Sequence, residues 1–93
     1  AKLDLTRRIT NDFKPKVVSR LNSRGVNYND LPLKVQVVFL DLAYNYGTLW
    51  FDFIEAYKSD GKTGIIAELN RRIARGESQV PSRRRKEIAY LNG

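Results

Sequence analysis

The 93 residues carry 17 basic and 10 acidic side chains, a formal net charge of +7, with 42% hydrophobic and 29% charged residues, which is the make-up of one ordinary globular domain. Cysteine and histidine are both absent, and this removes thiol nucleophiles, imidazole general bases, Ser-His triads, disulfides and Cys/His zinc sites together. No apolar run approaches the ~20 residues of a membrane span, and an opening Ala1 without a leader pattern reads as a mature product or a fragment.

The first helix is expected from about Asp4 to Leu21, where Leu5, Ile9, Phe13, Val17 and Leu21 step by four and line one face. Pro15 lies inside that run and should kink or split it near Phe13 and Lys14. Asn22 to Gly25 ends it, and a polar loop continues to Asp30. A second helix, about Pro32 to Asn45, opens on a proline whose missing N–H costs nothing in a first turn. Val35, Val38, Phe39 and Leu42 make one stripe, and Val37, Leu40, Ala43 and Tyr44 fill most of the rest of the circumference. Only Lys34, Gln36 and Asp41 are strongly polar, and a helix apolar nearly all round is the buried centre of a helical domain.

A third helix is expected from Thr48 to Ser59, stopped at Asp60 and Gly61. The fourth runs from Thr63, as N-cap, to Arg75, with Gly76 just past its end. Pro81 and Ser82 announce a fifth, to about Leu91. No segment alternates like a half-buried strand. The expected fold class is therefore all-α, with about five short helices packed around residues 32–45 in a single domain spanning 1–93.

Charge is uneven along the chain. From Arg71 to Lys86 there are seven basic side chains (Arg71, Arg72, Arg75, Arg83, Arg84, Arg85 and Lys86) against one carboxylate, Glu77. Such a field either solvates a helix face or favours a polyanion: nucleic acid, anionic lipid or a carboxylate-bearing bacterial wall. A nucleic-acid-binding domain is the rival reading, with Arg83 to Lys86 starting a recognition helix after "RGESQVPS". That connection exceeds the usual 3–4-residue turn, and Arg83 to Lys86 include no Asn, Gln or Ser to read bases. A third reading is an interaction module whose exposed aromatics dock a protein.

Catalytic chemistry would have to run on carboxylates. Asp52 and Glu55 share a helix face three residues apart, a spacing typical of solvated surface. Asp41 lies on the most apolar helix and needs a partner, Lys34 or an arginine from the last two helices, so a structural ion pair is expected there. Gly61-Lys62-Thr63-Gly64 lacks the upstream glycine and the strand of a phosphate loop and carries no weight. The aromatic group Tyr44, Tyr46, Trp50, Phe51 and Phe53 reads mostly as core. Asn45, an amide at the last turn beside a glycine, can point into a cleft. Amide, aromatic and arginine together suit sugars, through hydrogen bonds to hydroxyl and N-acetyl groups and stacking on ring faces.

Taken in order, "FKPKVVSRL", "LPLKVQVVFLDLAYNYG" and "PSRRRKEIAYL" resemble the C-terminal helical lobe of phage-type lysozymes, the endolysin muramidases that cut peptidoglycan. In that family a helix containing Pro leads to a polar loop, a buried helix ends in Asn- or Gln-x-Gly, and an element with Arg-Arg-x-x-Glu closes the chain; Arg83, Arg84 and Glu87 fill the last pattern. The resemblance implies a lobe that positions glycan strands for hydrolysis of the β-1,4 bond between N-acetylmuramic acid and N-acetylglucosamine, at the bacterial wall or periplasm. It places Asn45 at the glycan cleft, with Tyr44 and Trp50 beside it and Gly47 letting the backbone approach the sugar. Arg83 or Arg84 would contact the peptide stem or brace the cleft. No metal or cofactor is implied. The family's catalytic pattern of Glu, eight residues, Asp or Cys, five residues and Thr has no counterpart, since nine after Glu55 is Gly64 and nine after Glu68 is Glu77. The catalytic glutamate is expected on another chain or domain, and no catalytic residue is assigned within these 93. Tyr46 and the following "TLWFDF" depart from the small residues usual at that turn.

Overall fold

The computed structural model describes residues 7–76 and 81–93, with side chains described at 10–76 and 82–93. Among these residues there is no strand. The elements are α1 (Arg7–Ser23), a 3₁₀ turn (Tyr28–Asp30), α2 (Leu33–Tyr46), α3 (Phe51–Ala74) and α4 (Pro81–Asn92). The all-α expectation stands, with four helical spans among the described residues, one of them, α3, interrupted by a kink. Leu5, the side chain of Ile9 and residues 77–80 of the link before α4 lie outside the described residues. The chain divides into two compact units, which meet in sequence between Phe51 and Asp52.

In the first unit α1 packs on α2 and on the 3₁₀ turn. The four-residue step is realised at Val17 and Leu21, both fully buried, while Phe13 is half-buried. α1 continues through Pro15 without the expected split. Pro15 is exposed, and so is Asn11, whose carbonyl loses its helical partner there; at an exposed site solvent is on hand to replace the lost bond. The end of α1 is closed by Gly25 N–H to Asn22 O at 3.1 Å and Val26 N–H to Leu21 O at 2.9 Å, the paired bonds of a Schellman motif.

The 3₁₀ turn is capped by Asn27, whose Oδ1 accepts from Asn29 N–H at 3.1 Å. Pro32 stands one residue before α2 with φ −55° and ψ 147° and makes no side-chain cap. Gln36 reaches back from the first turn instead, and its Nε2 donates to Tyr28 O at 3.0 Å and Leu31 O at 3.1 Å. Burial in α2 concentrates in its middle, at Val35, Val38, Phe39, Leu40, Asp41, Leu42 and Ala43, while Leu33 and Tyr44 near its ends are exposed. Each fully buried side chain such as Phe39 or Leu42 contributes on the order of 2 kcal/mol.

The second unit holds α3 from Asp52 onward and α4. α3 is two helices run together across a kink at Gly61, where φ 65° and ψ −145° leave the helical region, so the chain breaks its helix where Asp60 and Gly61 were expected to stop it. Thr63 lies two residues past the kink, within the span of α3. Beyond the bend the two halves of α3 touch. A Cβ placed on Gly64 would lie 2.1 Å from the Ala56 carbonyl oxygen, so this approach requires a residue without a side chain. The Gly61-Lys62-Thr63-Gly64 stretch is this bend, and Lys62 Nζ donates to Leu91 O of α4 at 3.4 Å. α4 takes Pro81 as its first helical residue, the position that least needs an N–H.

Candidate functional site

The candidate residues fall in both units. Tyr44, Asn45, Gly47 and Trp50 belong to the first, Arg83 and Arg84 to the second.

In the first unit the site is the C-terminal end of α2. Gly47 stops the helix in the left-handed conformation, with φ 81° and ψ −13°, which an L side chain enters only at a cost of roughly 1–2 kcal/mol. A Cβ there would meet no atom within 4 Å, so within this chain the glycine is set by φ and not by space. Asn45 is exposed, and its Nδ2 donates to Asp41 O one turn back at 2.7 Å. That bond fixes the amide against its own helix and helps tie off the last turn.

The rings around this end play separate roles. Tyr44 is 51% exposed and Trp50 46% exposed. Tyr44 meets the half-buried Phe13 edge to face, 5.7 Å between centroids. Trp50 meets the half-buried Tyr46 in the same way at 6.3 Å. Such pairs hold a ring in place while leaving area to solvent. Leu49, between them in sequence, is buried and its carbonyl accepts from Arg20 Nε at 2.9 Å. Phe53, by contrast, is fully buried.

Phe51 has a role that the sequence did not announce. The guanidinium carbon of Arg20 lies 4.0 Å from its ring centroid and that of Arg24 lies 3.9 Å from it. Arg20 lies in the last turn of α1 and Arg24 just past its end, and nothing in their spacing points to a ring so far along the chain.

In the second unit Arg84 is 2% exposed and Glu87 is fully buried. Arg84 Nη2 donates to Glu87 Oε2 at 3.1 Å, and Nε lies 2.5 Å from Oε1, an ion pair across one turn. Arg84 is thereby committed to Glu87 and presents almost no surface, whereas Arg83 is half-exposed. A second network joins Arg72 Nε to Glu68 Oε2 at 3.0 Å, both buried, and Arg72 Nη2 to the exposed Asp52 Oδ2 at 3.1 Å. Arg71 also pairs with Glu68, and the Arg72 guanidinium lies 4.7 Å from the Phe53 ring centroid. Three of the seven basic side chains between Arg71 and Lys86 therefore hold carboxylates of this unit.

The carboxylates follow the bland reading. Asp52 serves Arg72, and Glu55 faces Lys58 at 3.8 Å with both half in solvent. Asp41 is fully buried. Among the described residues no group of acidic side chains could hold a metal ion, and no helix is long and apolar enough to cross a membrane. Burial raises the Tyr28 hydroxyl above its usual pKa of 10.0. Comparison with known proteins gives no matching family model, no matching curated protein and no matching solved structure.

Proposed function

We propose that this chain is the substrate-binding and structural lobe of a peptidoglycan-cleaving muramidase, its helices gathered around α2, with the catalytic glutamate supplied from outside these residues. The observation that carries the reading is the end of α2, where Tyr44 and Trp50 keep about half their surface in solvent near the exposed Asn45. Exposed rings braced by other rings offer stacking faces to sugars, and an amide offers hydrogen bonds to N-acetyl groups. The order of sequence features shared with the helical lobe of phage-type lysozymes supports the same assignment. Asp52 and Glu55 are engaged by Arg72 and Lys58, which favours a positioning role over general acid catalysis. The rival reading, nucleic-acid binding by the field from Arg71 to Lys86, loses Arg71, Arg72 and Arg84 to internal carboxylates.

The test is sedimentation with insoluble peptidoglycan, with the supernatant assayed for new reducing ends. Binding without release is expected. Asn45→Ala and Trp50→Ala should each weaken binding by about tenfold, equivalent to ~1.4 kcal/mol. The Asn45→Ala protein should lose only ~1 kcal/mol of stability, the value of one part-exposed hydrogen bond. Absence of binding removes the proposal. Release above a heat-inactivated control would place the chemistry within this chain, at Asp41, Asp52 or Glu55 first.

A further inference from the structure

We propose that the Asn92–Gly93 step closing α4 is a site of spontaneous deamidation, in which the backbone nitrogen of Gly93 displaces the side-chain amide of Asn92. The step lies in the second unit and shares no residue with the glycan assignment, so the two proposals stand or fall separately. The chain has seven asparagines, and only Asn92 is followed by glycine. A following residue without a Cβ leaves its nitrogen open to the side-chain carbonyl carbon and its backbone free to turn. Ring closure also requires the asparagine to leave the helical ψ of about −42°, so the fold decides which asparagines can react. Asn11 and Asn70 lie inside α1 and α3, and Asn29 lies in the 3₁₀ turn. Asn27 caps that turn through its Oδ1, and Asn45 Nδ2 is bound to Asp41 O. Asn22 is in the last turn of α1 and precedes Ser23.

Asn92 is the last helical residue of α4, and both it and Gly93 are exposed. The Gly93 N–H donates to Ala89 O at 2.8 Å. Opening that one bond frees the attacking nitrogen and leaves the turns before it in place, the kind of end fraying that costs a helix little. In the reaction the Gly93 N–H gives its proton to solvent base, and the nitrogen bonds to Asn92 Cγ. The Cγ–Nδ2 bond breaks, and the amide nitrogen leaves as ammonia with a proton from water. Water then opens the five-membered imide at either carbonyl. One opening gives aspartate; the other gives isoaspartate, with the backbone rerouted through Cγ. No oxidant or reductant takes part. Isoaspartate inserts a methylene into the backbone beside Leu91, whose side chain is buried and whose carbonyl accepts from Lys62 Nζ at 3.4 Å, so the modification works against the seating of the end of α4 on α3.

The experiment ages the intact, folded chain in mildly alkaline buffer and maps aspartate and isoaspartate at each asparagine by peptide mass spectrometry. Asn92 should convert first, with isoaspartate among its products, and faster as pH rises, because the attacking nitrogen must lose its proton. Gly93→Ala should slow that conversion about tenfold by restoring a Cβ beside the nitrogen. The added Cβ would stand 3.1 Å from Ala89 O, a contact that a small shift of the exposed last turn relieves, so the variant keeps its fold. Asn92→Gln should abolish the earliest release of ammonia. Absence of conversion at Asn92 in the folded chain, earlier conversion at any other asparagine, or an unchanged rate in Gly93→Ala overturns the proposal.

Discussion

Arg84 and Glu87 lie on one face of α4, three residues apart, and both side chains are out of water. Charges in that position owe their stability to each other, because desolvation of either alone is expensive. Glu87→Gln should therefore destabilise the protein by about 3–5 kcal/mol, since it leaves the guanidinium without its counter-charge. The double change Arg84→Met with Glu87→Leu should be close to neutral, because apolar groups of similar volume remove both penalties. Urea denaturation of the two variants measures the contrast; equal losses would mean that the pair is not the seat of the cost. Tyr28 supplies a second reading at this scale. Burial raises its pKa above 10.0, so the folded state holds the phenolic proton more tightly than the unfolded chain does. Its contribution is complete below pH 10 and is lost as pH rises through the raised value. The wild-type urea midpoint should fall above pH 10 more steeply than that of Tyr28→Phe. Parallel curves would remove Tyr28 as the cause.

The helices show where local sequence decides structure and where it does not. The stops at Gly25, Gly47 and Gly76 coincide with glycines at positive φ, and the step of four in α1 is realised at Val17 and Leu21, because caps and periodicity act over one or two turns. Pro81 likewise marks a helix start. Gly61 was read as a stop, and the chain does leave the helical region there; that Gly64 of the following helix then rests against Ala56 is a tertiary approach invisible to a pattern of neighbours. Pro15 was read as a kink or a split, and α1 runs through it without a split, at an exposed position whose exposure is also a tertiary property. At the candidate site the polar ending of α2 was legible from Tyr44 to Gly47. The pairing of Arg84 with Glu87 follows from spacing, but its complete burial does not. The gathering of Arg20 and Arg24 around Phe51 was not legible at all, since ring and helix are more than 25 residues apart. Gly64→Ala tests the bend directly. A Cβ 2.1 Å from a backbone oxygen cannot be relieved by a side-chain rotation, so the halves of α3 must separate, at a cost of about 3 kcal/mol or more by analogy with overpacked cores. Thermal unfolding should show the loss, while Gly61→Ala, open in space but at φ 65°, should lose only about 1–2 kcal/mol. A mild effect at Gly64 would mean that the two halves do not approach so closely.

For the molecule as a whole the deciding quantity is how its charge of +7 is used. Arg71, Arg72 and Arg84 are joined to Glu68, Asp52 and Glu87, and Arg20 is tied to Leu49 and Phe51. A charge held by an internal carboxylate adds little to long-range attraction, so the seven basic side chains from Arg71 to Lys86 attract a polyanion less than their number implies, while the net charge stays at +7. Exposed cations such as Arg85 and Lys86 still attract anionic polymers, and that attraction is screened within ~10 Å at 0.1 M salt. Stacking and amide hydrogen bonds at Tyr44, Asn45 and Trp50 are not screened in this way. The two functional readings therefore separate by salt. A duplex-binding domain making 6–10 phosphate contacts would lose roughly 10³–10⁵ in affinity between 50 and 200 mM salt. Binding to peptidoglycan through the end of α2 should fall by less than about tenfold over the same range, and Arg85→Gln with Lys86→Gln should change it less than Trp50→Ala does. Sedimentation of the wild type and these variants at the two salt concentrations decides the matter. A collapse of binding with salt, insensitive to Trp50, would assign the attraction to the basic side chains and leave the aromatic end of α2 without a ligand.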